Sequence, residues 1–161
     1  MRRSEARTVV EYYYSIRKMR AILEKERREL EGEYNGLRGT SCGEMRGGGG
    51  NMHRTTEDMA DKVDFLRVGV RMKEIDVKIC VLNADSDKIR GCMDGLNGSY
   101  QKILDLRYRM GCSWAGVAGR MSTTERSAKR WAERALERIA EAMEDVPMIE
   151  ELVGRATRAR K

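Results

Sequence analysis

Proline occurs once in this 161-residue chain, histidine once, and aromatic side chains make up only 6% of it. With so little to break helices, and with Glu, Lys, Arg, Leu, Met and Ala abundant, the chain is expected to be all-α. The lone histidine, His53, lies far from any motif, and the carboxylates are spread as ordinary helix charges often balanced by Arg three or four positions away. No glycine-rich nucleotide fingerprint and no nucleophile elbow is present, so an enzyme is not expected. Four cysteines, Cys42, Cys80, Cys92 and Cys112, form no CxxC pair. That spacing argues against a structural zinc site, and neither metal nor cofactor is expected. Cys80 and Cys92 fall within helical patterns, where a free thiol behaves as a small buried hydrophobe. No apolar run approaches the 18 or so residues that span a bilayer, and the start of the chain lacks the apolar stretch of a signal peptide. A reduced, cytoplasmic protein with no membrane partner is expected.

What is present is charge and helical periodicity. The formal net charge of +6 makes a polyanionic partner plausible. Val9, Tyr12, Ile16, Met19, Leu23 and Leu30 recur at steps of three and four, with Glu26 interrupting, and predict an amphipathic helix over about 5–34. Tyr13 and Tyr14 cannot both share that stripe, which leaves one of them free for a partner. The glycine-rich stretch that follows, about 35–54, breaks all periodicity and reads as a mobile connector. A second helix starts near Thr55 or Thr56. Its seam is Phe65, Val68, Met72, Ile75, Ile79, Leu82, Ile89, Met93 and Leu96, with Ser86 the one polar member. Residues 1–96 thus predict a long antiparallel helical hairpin across the connector. The second helix would extend on the order of 60 Å, longer than its partner, so part of its seam calls for another cover. Either the C-terminal helices or a second copy of the chain can supply it, and a homodimer is the favoured one.

The last third of the chain has a different grammar. Gly95 and Gly98 mark a boundary, "YQKILDLRYRMG" packs as a helix that stops at Gly111, and Ser113 can cap a short helix over "WAGVAGRM". Thr124 can cap the next helix, leaving only Ser122 and Thr123 for a tight corner. Val117, Ala118 and Met121 face inward from the short helix. Ala128, Trp131, Ala135 and Leu136 continue that face on the longer one, and Trp114 and Trp131 are read as core anchors. Glu125, Arg126, Lys129, Arg130 and Arg134 point outward. This is the layout of a helix-turn-helix, whose second helix enters the DNA major groove with its N-terminal residues leading. The domain is expected over 97–145, the recognition helix over about 124–143, and an exposed basic tail over 146–161.

The residues carry a resemblance. Leu106-Arg107-Tyr108, Gly111-Cys112-Ser113, Val117-Ala118 and Ala135-Leu136 stand where the DNA-binding fourth region of sigma-70-type factors has its helix end, loop, inner face and closing pair. The whole chain resembles small sigma-like regulators of temperate phages and prophages, some of which activate late operons. Three positions depart from the pattern: Gly116 replaces an acidic residue, Ser122 the glycine of the turn, and Ala128 a larger branched residue. The resemblance implies a sequence-specific DNA-binding transcriptional regulator in a bacterial host cell, with double-stranded DNA and host RNA polymerase or another host protein as partners. Its implied DNA contacts are Ser113, Thr124, Glu125, Arg126, Ser127, Lys129, Arg130 and Arg134. The alternatives are an HTH-like module that grips a host protein, such as a counter-defence protein, and a packaging protein resembling the phage small terminases.

Overall fold

A computed structural model of the chain describes residues 1–42 and 54–160, with side chains for 1–37 and 62–160. Among the described residues every regular element is helical: α1 (Arg3–Cys42), α2 (Arg54–Asp94), α3 (Gly98–Leu104) running on into a π-helical turn (Asp105–Arg109), α4 (Trp114–Arg120), α5 (Glu125–Glu144) and α6 (Ile149–Ala159). The all-α expectation holds. α1 continues past the expected end at 34 as far as Cys42, so the first part of the expected connector is helix. The remainder of that connector, 43–53, lies outside the described residues.

The chain forms two compact units. One comprises residues 18–82, the other 1–17 together with 83–161. The expected division at residue 96 is therefore not where the compact units meet in sequence.

Residues 18–82 are an antiparallel pair made from the later part of α1 and the earlier part of α2. Tyr34 stacks on Phe65 with ring centroids 4.2 Å apart. Further along, Arg71 donates to Glu26 at 2.8 Å and Arg27 to Asp76 at 2.6 Å. Glu26, the residue that interrupts the α1 seam, thus has a partner that no apolar residue could supply. Along this part of α2, among the described side chains, the buried positions fall every seventh residue, at Val68, Ile75 and Leu82. Met72 and Ile79 between them are only half-buried, as are Met19, Leu23 and Leu30 on α1. Two helices alone have one shared face, so the flanks of the seam stay wet.

The other unit has a thicker core. From α1 come Ala6, Val9, Val10, Tyr12 and Ile16; from α2, Ile89 and Met93; Leu96 follows from the turn after α2, and every later helix adds buried apolar residues. One member is charged. Asp85 is 1% exposed and accepts from the Tyr12 hydroxyl at 3.0 Å and from Arg155 at 2.6 and 2.8 Å. Burial, followed by the charge and hydrogen bond of Asp85, lifts the Tyr12 phenol above its ordinary range. The hydrogen bond to Asp85 likewise raises the Arg155 guanidinium. A buried carboxylate is tolerated only when paired and hydrogen-bonded in this way.

Arg155 belongs to the segment expected to be an exposed tail, and that expectation fails. Residues Ile149–Ala159 form α6, with Leu152 and Ala156, one turn apart, buried against the unit. The excess of Arg hid a two-residue apolar face, and Arg155 itself is turned inward by Asp85. The expectation of a free tyrosine fails as well. The Tyr14 hydroxyl donates to Asp105 at 2.8 Å, and the Tyr13 and Tyr14 rings, both part-buried, meet edge to face. Burial, then the Asp105 hydrogen bond, raises the Tyr14 phenol above the usual tyrosine range.

Candidate nucleic-acid interface

The site begins with the way α3 is placed. Asn97 caps it by accepting from the Ser99 N–H, and Gln101 donates to the carbonyls of Met93 and Leu96, tying the new helix to the end of α2. At Asp105 the helix loosens into a π turn that closes with the Met110 N–H on the Asp105 carbonyl. Gly111 then reverses the chain with φ of +66°, a conformation that suits a residue without Cβ. Arg107 holds the loop after it. Its guanidinium donates to the Cys112 carbonyl at 2.8 Å and lies over the Trp114 ring, 5.0 Å from the centroid. In the sequence Arg107 was only the middle of a Leu-Arg-Tyr string; its task of joining loop to helix needs the folded geometry to be seen.

Ser113 caps α4 as expected, accepting from the Gly116 N–H at 3.2 Å. The corner after α4 is a Schellman turn: the Thr123 N–H returns to the Ala118 carbonyl and the Ser122 N–H to that of Gly119. Ser122 sits at the left-handed position with φ of +50°. A serine there carries strain that the usual glycine avoids, and the corner nevertheless forms. Thr124 then caps α5, accepting from the Ser127 N–H at 3.2 Å, while its hydroxyl donates to the Ser127 Oγ.

The two helices meet over Val117, Ala118, Ala128 and Ala132, in one cluster with Ile103 and Leu106. Cys112, Trp114, Met121 and Trp131 pack around it, half-buried. Small Ala128 is fully enclosed where the related pattern has a larger residue, and Trp131 fills space at the edge of the cluster rather than its centre. Ala132, which periodicity had not singled out, is buried in its place.

Opposite this face the first turns of α5 are basic and exposed. Arg126, Lys129, Arg130 and Arg134 all lie in water, as does Glu125. Glu125 stands 3.8 Å from Lys129, and Glu133 stands 3.8 Å from Arg3, which also reaches Glu137 at 3.1 Å. The carboxylates on this helix are therefore offset by cations of the same unit, and among the described residues no ion pair engages Arg126 or Arg130. The structure thus gathers Thr124, Glu125, Arg126, Ser127, Lys129, Arg130 and Arg134 on the leading half of one helix. Ser113 stands apart, at the head of α4. Thr124, Ser127 and Ser113 all have hydroxyls engaged in capping. Arg120, exposed at the end of α4, is a further cation beside the corner that the sequence reading did not select.

Among the described residues no cluster of potential ligands could hold a metal ion, and no helix is long and apolar enough to cross a membrane. Cys80, Cys92 and Cys112 are free thiols. Cys80 is exposed, against the expectation of burial, because it falls on the side of α2 away from the seam.

Residues 86–139 match the family model for sigma-70, region 4. The match covers the end of α2, all of α3 and α4, and most of α5, and so takes in the corner and the basic turns together. No curated protein and no solved structure matches the chain. The C-terminal part is a sigma region 4-like helix-turn-helix, a DNA-binding type of domain consistent with transcriptional regulation.

Proposed function

We propose that the chain is a sequence-specific transcriptional regulator of phage or prophage type, acting in the bacterial cytoplasm, with α5 as its recognition helix. The observation that carries this reading is the exposed Arg126, Lys129 and Arg130 on the first turns of a capped helix whose opposite face is locked to α4. Arg126 and Arg130 are one turn apart, so both reach the same groove, with Lys129 on the flank. The helix N-terminus adds the partial positive charge of its free N–H groups, which favours a phosphate close to Thr124. Arg126 and Arg130 read base edges; Lys129 and Arg134 position the backbone. The regulator acts as a homodimer, with host RNA polymerase as the protein partner on promoter DNA.

The test is a binding titration over several salt concentrations, with duplex from the gene's own locus and a scrambled duplex. Replacing a base-reading Arg by Ala costs about 1–3 kcal/mol and relaxes preference at one base pair, whereas Lys129→Ala weakens both duplexes alike and lowers the salt slope by about one. Circular dichroism confirms that each variant is folded. A folded variant with Arg126, Lys129 and Arg130 all replaced by Ala that binds as tightly as the parent would remove α5 from the interface. A parent that binds neither duplex at low salt would sink the DNA reading and favour a protein-binding module.

A further inference from the structure

The earlier part of α2 carries a second apolar stripe that stays largely exposed to water. Val63, Leu66, Val70 and Val77 are 57–66% exposed. Their spacing of three, four and seven is that of a heptad seam, with β-branched residues at one position and Leu at the other. Lys73 and the exposed Cys80 complete the series. At 100° per residue this stripe lies almost opposite the Val68–Ile75–Leu82 seam that faces α1. It extends about 26 Å along the helix, too long and too regular for scattered surface residues.

We propose that this outer face of α2 is where a second copy of the chain docks, antiparallel, about a two-fold axis beside Val70 and Lys73. Charge selects both the occupant and its direction. In an antiparallel pairing Leu66 meets the second copy's Val77, Val63 meets its Cys80, and Val70 meets its Lys73. The flanking Arg67 then faces Glu74 of the second copy, and the symmetry repeats that pair. In a parallel pairing Lys73 meets its own copy in the central layer, and Lys62 flanks Arg67 of the second chain. Like charges in register are destabilising, and exposed pairs of this kind set partner and orientation more than they add affinity. Other charges on the hairpin are already engaged, Arg71 with Glu26 and Asp76 with Arg27. Lys73 lays its methylenes over the opposing Val70 and keeps its ammonium in water. The inference rests on the homodimer reading and is independent of DNA binding.

Sedimentation of the full chain over a range of concentrations tests it. The parent is expected to be a dimer and Val70→Glu a monomer of unchanged helicity. Arg67→Glu should raise the dimer Kd about tenfold, a loss near 1.4 kcal/mol, and Arg67→Glu combined with Glu74→Arg should restore it. Orientation is read by introducing Val63→Cys into a chain whose other cysteines, except Cys80, are replaced. Mild oxidation should then link position 63 to Cys80 of the second copy, as mapped by mass spectrometry. Links from 63 to 63 or from 80 to 80 would overturn the antiparallel register. A dimer that survives Val70→Glu would remove this face while leaving the homodimer standing. A parent that stays monomeric at the highest concentration reached would remove both.

Discussion

The 18–82 hairpin and the unit that contains the helix-turn-helix are both built from helices, yet they are held in different ways. In the hairpin the buried residues among the described side chains are seven apart on α2, and exposed ion pairs flank the seam. In the other unit, α5 buries Ala128, Ala132, Ala135, Leu136, Ile139, Ala140 and Met143, because helices approach it from more than one side. Its corner is also fixed by backbone hydrogen bonds, two side-chain caps and a loop held by Arg107. The lesson is that apolar periodicity measures how many faces a helix offers, while the number of neighbours decides how many are used. The exposed arginines of α5 sit on the part with more neighbours.

The largest expected effect tests that contrast at its most buried charge. Arg155→Ala leaves Asp85 with only the Tyr12 hydroxyl, and breaking a buried pair from one side costs about 3–5 kcal/mol. Urea denaturation reads this directly. A loss under about 1 kcal/mol would mean that α6 is not needed to neutralise Asp85.

Next in size is Ile75→Ala in the hairpin, at about 2–4 kcal/mol for a nearly enclosed isoleucine. Hydrogen exchange should lose protection within 18–82 while amides of α4 and α5 keep theirs. Equal losses in both would erase the distinction between the units.

Trp131→Ala comes third. Its ring is half-buried at the edge of the α4–α5 cluster, so the cost is expected at about 2 kcal/mol, below the 3–5 typical of an enclosed tryptophan. A larger loss would mean that the ring, and not the alanines, holds the crossing.

The smallest effect is a gain. Ser122→Gly relieves the left-handed strain at φ of +50°, partly offset by the greater freedom of glycine in the unfolded chain, for a net of about 0.5–1 kcal/mol. Ser122→Val should instead destabilise. A glycine variant that melts below the parent would show that the serine hydroxyl holds the turn.

Much of this was legible in the chain itself. Caps at Ser113 and Thr124, the reversal at Gly111 and the tight corner are local events, settled within a few residues by side-chain to backbone hydrogen bonds. The outward set Arg126, Lys129, Arg130 and Arg134 followed from periodicity alone. Arg3, Arg107 and Arg155 could not be found in this way. Each is one arginine among many, distinguished only by the distant carboxylate, carbonyl or ring that meets it. The segment after 146 was misread for a related reason: its apolar face is two residues wide, and composition outweighed it.

By itself the sequence determined the all-helical class, the two apolar seams and the helix-turn-helix with its basic leading edge, because hydrogen bonding within helices and 3.6-residue periodicity are short-range. Only the tertiary structure decided that Asp85 is buried, that α6 returns to cover it, that both tyrosines beside Tyr12 are engaged, and that one face of α2 remains open while the opposite one is closed. Those outcomes depend on which surfaces meet across 70 or more residues of chain, as from Asp85 to Arg155, and no local spacing encodes which charge finds which partner.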